Sequence, residues 1–161
     1  MIAPASTPFQ SEAEYRLAID GVIALAEGEI CVFDFDLGRM GLEQGSRLAL
    51  LEGFVAAAPQ RRLRVVVHDA TRLSSNSPRL LGLLRRFPLA LEFRQSPVDL
   101  RHLADCLVLA DGRHGVIRFH ADQARGKQVL QDPVELAPRL QRFEELWELS
   151  APLALGTVLG L

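Results

Sequence analysis

The stretch between Leu63 and Gly112 contains three short apolar runs: LRVVVHD, LALEFR and DCLVLAD. Strands that stay apolar along their length are typical of an α/β sheet, because helices cover both of its faces. Between the first two runs lies PRLLGLLRRF, whose proline suits the first turn of a helix. The stretch therefore predicts the core of an α/β sheet with one crossover helix.

The rest of the chain continues this alternation. Residues 30–37, ICVFDFDL, are predicted to form a strand between two amphipathic helices. HGVIRFH is predicted to pair with DCLVLAD as a β-hairpin, the polar residues 121–132 to form a loop, and Pro133 to begin the last helix. We therefore expect an α/β fold with a mixed, mostly parallel sheet and helices on both faces.

Three parts of the chain differ in character. Residues 1–10 are expected to be a flexible N-terminus, and Ser11 is the predicted N-cap of the first helix, with Glu14 completing a capping box. Residues 11–150 are expected to form the domain. Residues 151–161, APLALGTVLGL, are an apolar tail that we expect to pack on the domain or on a second copy of the chain, which predicts a homodimer.

The 161 residues carry a net charge of −2, which gives no overall attraction to nucleic acid or to anionic membranes. Cys31 and Cys106 lie in apolar runs without a CxxC or Cys/His cluster, so two free, buried thiols are expected. The first fifteen residues have neither the basic region nor the long apolar segment of a signal peptide, so none is expected, and no apolar run approaches the roughly 20 residues that span a bilayer. We expect a cytoplasmic protein that uses no metal or other cofactor.

The order of these patterns resembles one half of the phospholipase D superfamily. The similarity covers roughly residues 12 to 149, from the strand and helix around ICVFDFDL, through LRVVVHDA and LALEFR, to a strand ending in DG and a helix carrying FEELW. The resemblance implies a phospholipase D-like α/β fold. It also implies pairing across a two-fold axis, because members with a single motif generally pair in this way.

The chemistry of that family depends on an HxKxxxxD motif and a GSxN-like element, in which the histidine attacks phosphorus and the lysine holds phosphate oxygens. Anchored on Asp111, the motif places Ala104 at the histidine and Cys106 at the lysine, so only Asp111 remains. The GSxN-like positions fall on Arg118, Phe119 and Ala121. The resemblance thus implies a non-catalytic module that binds a partner protein or a phosphate-bearing ligand.

A second hypothesis uses Asp34 and Asp36. An apolar strand that ends in DxD is how haloacid-dehalogenase-like phosphatases place a nucleophilic aspartate and an acid beside Mg²⁺. Here Leu37 follows, where such motifs usually continue with Thr or Val, and no later acidic pair completes the site. The alternative is that both aspartates cap the end of a strand.

His68 follows a predicted strand at the carboxyl edge, where open α/β sheets bind ligands. The Ser/Asn-rich loop that comes next leads into a helix whose first N–H groups can hold an anion, unless the loop only caps that helix. We predict these ligand-binding residues: Asp36, His68, Arg72, Ser77, Arg79 and Asp111.

The middle third of the chain is basic, and this supports a third hypothesis, a nucleic-acid-binding accessory domain. No aromatic residues interleave with the arginines, which weakens a stacking mode of single-strand binding. The arginines concerned are Arg61, Arg62, Arg64, Arg85, Arg86, Arg94 and Arg101.

Overall fold

The computed structural model describes residues 2–155, which form one eight-stranded sheet with the strand order β1-β7-β6-β5-β2-β3-β4-β8. Helices cover both faces of the sheet, and a 3-10 turn at Val98–Leu100 precedes β5. In chain order the elements are β1 Ala5–Phe9, α1 Glu12–Leu25, β2 Glu29–Asp34, α2 Gly45–Ala56, β3 Arg62–Val67, α3 Leu73–Asn76, α4 Pro78–Arg86, β4 Leu91–Gln95, β5 Cys106–Ala110, β6 His114–His120, β7 Gln123–Leu130, α5 Pro133–Leu149 and β8 Ala151–Pro152.

The prediction of a mixed α/β sheet is confirmed, but its parallel part is smaller than expected. Only β2 with β3 and β3 with β4 pair in parallel. All other neighbours are antiparallel, including β2 with β5 at the centre of the sheet. The predicted hairpin of β5 and β6 is present, with Val108 opposite Val116.

Two segments that were predicted to be irregular are strands. Ala5–Phe9, expected to be flexible, forms β1 and pairs along its whole length with β7. Gln123–Leu130, expected to be a loop, is β7 and also pairs with β6. Both expectations are wrong for the same reason. Each segment buries few side chains, so the alternation of apolar and polar residues that identifies a strand is weak. The two strands form because they pair with each other.

The central strand β2 is buried on both faces, as its apolar run predicts. Ile30 and Val32 lie in the larger apolar layer beneath α1, α2 and α4. Cys31 and Phe33 lie in the smaller layer beneath α5. Because successive side chains of a strand point to opposite faces, one continuous run serves both layers.

The helix ends follow from local chemistry. Ser11 is the N-cap of α1, and its hydroxyl accepts the backbone N–H of Glu14 at 3.1 Å. Asp132 is the N-cap of α5, and its carboxylate accepts the backbone N–H of Glu135. Between residues 2 and 155, none of the helices combines the length and apolar character that crossing a membrane requires.

Both cysteines are free and buried, as predicted. Cys31 lies in the layer beneath α5 and Cys106 in the layer on the opposite face. Burial raises the pKa of each thiol well above its ordinary value. Both thiols therefore stay protonated at neutral pH and pack as small core residues, and the Cys31 sulfur also lies 3.5 Å from Nη2 of Arg64.

The first part of the apolar tail packs on its own domain. The Leu153 N–H donates to the Phe93 carbonyl at 2.9 Å, and Leu153 and Leu155 contact the larger apolar layer. The expected contributions of Val158, Leu159 and Leu161 lie outside the described residues.

Candidate functional site

A cleft of about 440 Å³ opens at the edge of the sheet where β2 and β3 end and β5 and β7 begin. The parallel strands bring their carboxyl ends to this edge, and the antiparallel strands bring the segment before β5 and the β6–β7 turn to the same place. The cleft is lined by Asp34, Phe35, Asp36, Gly38, Arg39, His68, Arg101, Leu103, Ala104, Asp105, His120, Ala121 and Asp122.

Asp34 shapes the floor of the cleft. It is the last residue of β2 and is buried, and its carboxylate accepts the N–H of Leu37 at 2.7 Å and that of Asp36 at 3.3 Å. Leu37 has a φ of 71°, so the turn is strained and needs these bonds. Burial raises the pKa of Asp34. The Asp34 side chain thus stabilises the turn that carries Asp36 into the cleft.

His68 lines the cleft, as predicted, but both of its ring nitrogens already have partners. Nε2 lies 2.7 Å from the Leu103 carbonyl oxygen, and Nδ1 contacts the Ser96 hydroxyl. A carbonyl only accepts, so the hydrogen-bond network assigns the proton to Nε2. His68 therefore orients the segment before β5, and Ala104 in that segment faces the cleft.

Two arginines stand on different sides of the cleft. Arg39, in the loop after β2, donates to the Ala121 carbonyl in the β6–β7 turn. Arg101 donates to the carbonyl of His68 at 3.2 Å, just beyond the end of β3. Because β5 and β2 lie between β6 and β3 in the sheet, the two guanidinium groups flank the centre of the cleft.

The loop from Arg72 to Arg79 is not part of this cleft. Arg72, Ser77 and Arg79 are absent from its lining, and Ser77 is buried between α3 and α4. The Glu43 carboxylate accepts the N–H of Arg79 at 2.6 Å and that of Leu80 at 3.2 Å. The first turn of α4 therefore binds an anion from the chain itself, where the sequence predicted a ligand.

Asp111 lies at the opposite edge of the sheet, so the expected grouping of Asp111 with Asp36 and His68 is wrong. Since β5 runs antiparallel to β2, its carboxyl end meets the beginning of β2. The Asp111 carboxylate accepts the N–H groups of Glu27 at 2.8 Å, Gly28 at 2.8 Å and Glu29 at 2.9 Å. It holds together the loop between α1 and β2.

The geometry does not assemble a magnesium site around Asp34 and Asp36. Within residues 2–155, the one group of three potential metal ligands is Glu29, Cys31 and Glu144, on another part of the sheet. The Arg64 guanidinium occupies that group and pairs with both glutamates. The Asp34 carboxylate is already engaged by two backbone N–H groups, so these residues do not fit the metal.

Five polar residues of the cleft were not assigned to it from the sequence, although Arg101 was counted in the basic middle third: Arg39, Arg101, Asp105, His120 and Asp122. His120 is the last residue of β6, and each of the others follows or precedes a strand that begins or ends at this edge. The direction of the strands was the signal that could have found them. The resemblance places Ala104 at the nucleophile and Ala121 at the asparagine of the GSxN-like element. Both alanines line the cleft.

Several solved structures are similar to this chain in fold. TrmBL2, described as an archaeal chromatin protein with a novel mode of DNA binding, aligns with a TM-score of 0.66 and 15% identity, over 92% of this chain and 54% of its own. Nuc, a phospholipase D family member from Salmonella typhimurium, has a TM-score of 0.63 at 13% identity, over 94% and 99% of the two chains. NucT from Helicobacter pylori aligns with a TM-score of 0.65 and 9% identity, over 94% of this chain and 100% of its own.

These alignments confirm the phospholipase D-like fold that the sequence predicts. The chain spans about half the length of TrmBL2 and nearly the whole length of Nuc and NucT. No curated protein matches the sequence. The family model described as "Domain of unknown function (DUF7931)" matches residues 11–154, and the chain belongs to that family.

Proposed function

We propose that this protein is a non-catalytic phospholipase D-like module whose cleft binds a phosphate-bearing ligand between Arg39 and Arg101. The observation that carries the proposal is the composition of the cleft, which is lined by Arg39, Arg101 and the two alanines that the resemblance assigns to reacting positions, Ala104 and Ala121. An alanine side chain cannot attack phosphorus. Guanidinium groups, in contrast, bind phosphate oxygens through paired, charge-assisted hydrogen bonds.

The contacts of Arg101 leave it able to bind a ligand. One of its terminal nitrogens donates to the His68 carbonyl, which anchors the side chain, and its guanidinium lies 6.0 Å from the centre of the Phe35 ring. A guanidinium has five N–H donors, so one anchoring bond leaves several for phosphate oxygens. An anchored side chain also loses less conformational entropy on binding than a free one.

Thermal unfolding with inorganic phosphate tests the proposal. We expect phosphate to raise the midpoint for the unsubstituted protein, since a ligand at 100 times its Kd stabilises the folded state by about 2.7 kcal/mol. Each variant is compared with its own phosphate-free midpoint. In Arg101→Ala, phosphate should no longer raise the midpoint. The matched control is Arg79→Ala, outside the cleft, and phosphate should still raise its midpoint. The reverse pattern would move the anion site to the first turn of α4.

No phosphodiesterase activity is expected from the same protein. A chromogenic phosphodiester and single-stranded DNA should remain intact, because Ala104 supplies neither a nucleophile nor a proton acceptor. Turnover by the purified chain would contradict a non-catalytic role. If that turnover required Mg²⁺ and disappeared in Asp34→Asn, the phosphatase hypothesis would replace this one.

Nucleic acid is the second candidate ligand, and the structural similarity to TrmBL2 favours it. Against it, much of the basic middle third is engaged inside the domain. Arg64 pairs with Glu29 and Glu144, and Arg86 pairs with Glu52. Titration with a short single-stranded oligonucleotide, with inorganic phosphate as competitor, separates the two ligands.

The predicted homodimer, a protein partner and the cytoplasmic location stay predictions. The dimer was expected to use the apolar tail, and residues 151–155 of that tail begin with a strand on the edge of β4. If the dimer forms, this edge of the sheet and the remaining tail are its proposed surface.

A further inference from the structure

Four carboxylates line the cleft, and each has a compensating partner within the described chain. Asp34 accepts from two backbone N–H groups, and Asp36 accepts the N–H of Gly38 at 2.9 Å. Asp105 pairs with Arg142 and Arg139, which lie on α5 behind the cleft lining. These three side chains are therefore fixed by contacts that a ligand does not need to disturb.

Asp122 differs from the other three because its arginine belongs to the cleft itself. Its carboxylate lies 3.3 Å from Nη1 of Arg39, and both side chains line the cleft. The Arg39 side chain is 50% exposed and that of Asp122 is 76% exposed. Exposed ion pairs of this kind are weak and exchange easily.

We propose that Asp122 occupies the place of the ligand on Arg39, and that the ligand which displaces it carries a terminal, doubly charged phosphate group. This inference rests on the function proposed above. On binding, Arg39 exchanges the Asp122 carboxylate for phosphate oxygens while it keeps its bond to the Ala121 carbonyl. Asp122 then turns towards solvent, where its charge is well hydrated.

The single negative charge of Asp122 indicates which phosphate ligands can displace it from Arg39. A phosphodiester carries one negative charge, as an aspartate does, so the exchange on Arg39 brings no gain in charge. A phosphomonoester carries about 1.5 to 2 negative charges at neutral pH. It also has three terminal oxygens, enough to contact Arg39 and Arg101 at the same time. The cleft therefore selects a monoester over a diester.

Calorimetric titration with methyl phosphate and dimethyl phosphate at about pH 7.5 tests the exchange, because the two probes differ by one methyl group and one charge. We expect methyl phosphate to bind at least roughly tenfold more tightly than dimethyl phosphate. Asp122→Asn should bind methyl phosphate about three- to fivefold more tightly, by the measured range for exposed ion pairs. The control Asp36→Asn removes a charge from the same cleft without freeing an arginine, and should change the affinity by less than about twofold.

A double-mutant cycle separates exchange from general electrostatics. If Asp122 acts through Arg39, then in an Arg39→Ala background Asp122→Asn should change the affinity for methyl phosphate no more than Asp36→Asn does. Equal effects of Asp122→Asn and Asp36→Asn in the unsubstituted background would overturn the exchange but leave phosphate binding intact. Equal affinity for the two probes would overturn the monoester assignment. Absence of methyl phosphate binding in every variant, Asp122→Asn included, would overturn the proposed function together with this inference.

Discussion

Gly126→Ala is expected to destabilise the fold by about 3 kcal/mol or more, one of the two largest effects that the structure predicts. Gly126 lies on β7 between β6 and β1, opposite Arg118 and Phe9. A Cβ at this position would lie 1.9 Å from the Ile117 carbonyl oxygen and 2.6 Å from Cζ of Phe9. The first of these atoms is backbone, so the clash cannot be relieved by a rotamer change. Chemical denaturation of the variant, with the m-value compared, measures the loss.

The control for this substitution is Gly53→Ala, the same chemical change on the exposed side of α2. A Cβ at Gly53 would have nothing within 4 Å. An alanine there should stabilise the protein by about 0.5–1 kcal/mol, because glycine is unfavourable inside a helix. If both variants were equally stable, β6 and β7 would not approach each other as closely as the structure places them.

Glu12→Gln is expected to lower the free energy of unfolding by about 2–3 kcal/mol at neutral pH. Arg118 donates to Glu12 from two nitrogens, at 2.7 and 2.9 Å, and its guanidinium lies 4.7 Å from the centre of the Tyr15 ring. The Arg118 side chain is 1% exposed, whereas that of Glu12 is 42% exposed. Loss of the carboxylate leaves a buried positive charge without its partner, which is more costly than loss of an exposed pair.

The dependence on pH distinguishes this pair from a purely steric contact. The hydrogen bonds from Arg118 hold the pKa of Glu12 below its ordinary value of 4.5. The pair therefore stabilises the fold fully above that value, and the stabilisation is lost as the pH falls through the lower pKa of the folded state. The difference in stability between Glu12→Gln and the unsubstituted protein should narrow at about pH 3. The exposed Glu148→Gln is the matched control, and it should leave stability within about 0.5 kcal/mol at both pH values.

Local sequence signals were sufficient for the elements that bury most of their side chains. The apolar runs of β2, β3 and β5 and the capping serine of α1 each identify their element without reference to the rest of the chain. β1 and β7 could not be found in this way. Their side chains are largely exposed or half-buried, so their hydrogen bonds come from pairing with each other and with β6.

In the candidate site, too, some residues could be predicted from local sequence and others could not. His68 and Asp36 were predicted because they follow strands whose carboxyl ends meet in a parallel sheet. Asp111 was assigned to the same place from the resemblance, but the antiparallel direction of β5 carries it to the other edge. Arg39, Arg101 and Asp122 come from three separate loops. No spacing within the sequence brings such residues together.

The sequence by itself determined the α/β class, the buried strands and the free cysteines. Each of these depends on residue type and on neighbours close along the chain. Only the tertiary structure decided which loops form the cleft, that Glu43 accepts from the first turn of α4, and that Asp122 pairs with Arg39. Those contacts join residues 36 or more positions apart, and the direction of each strand in the sheet sets where they meet.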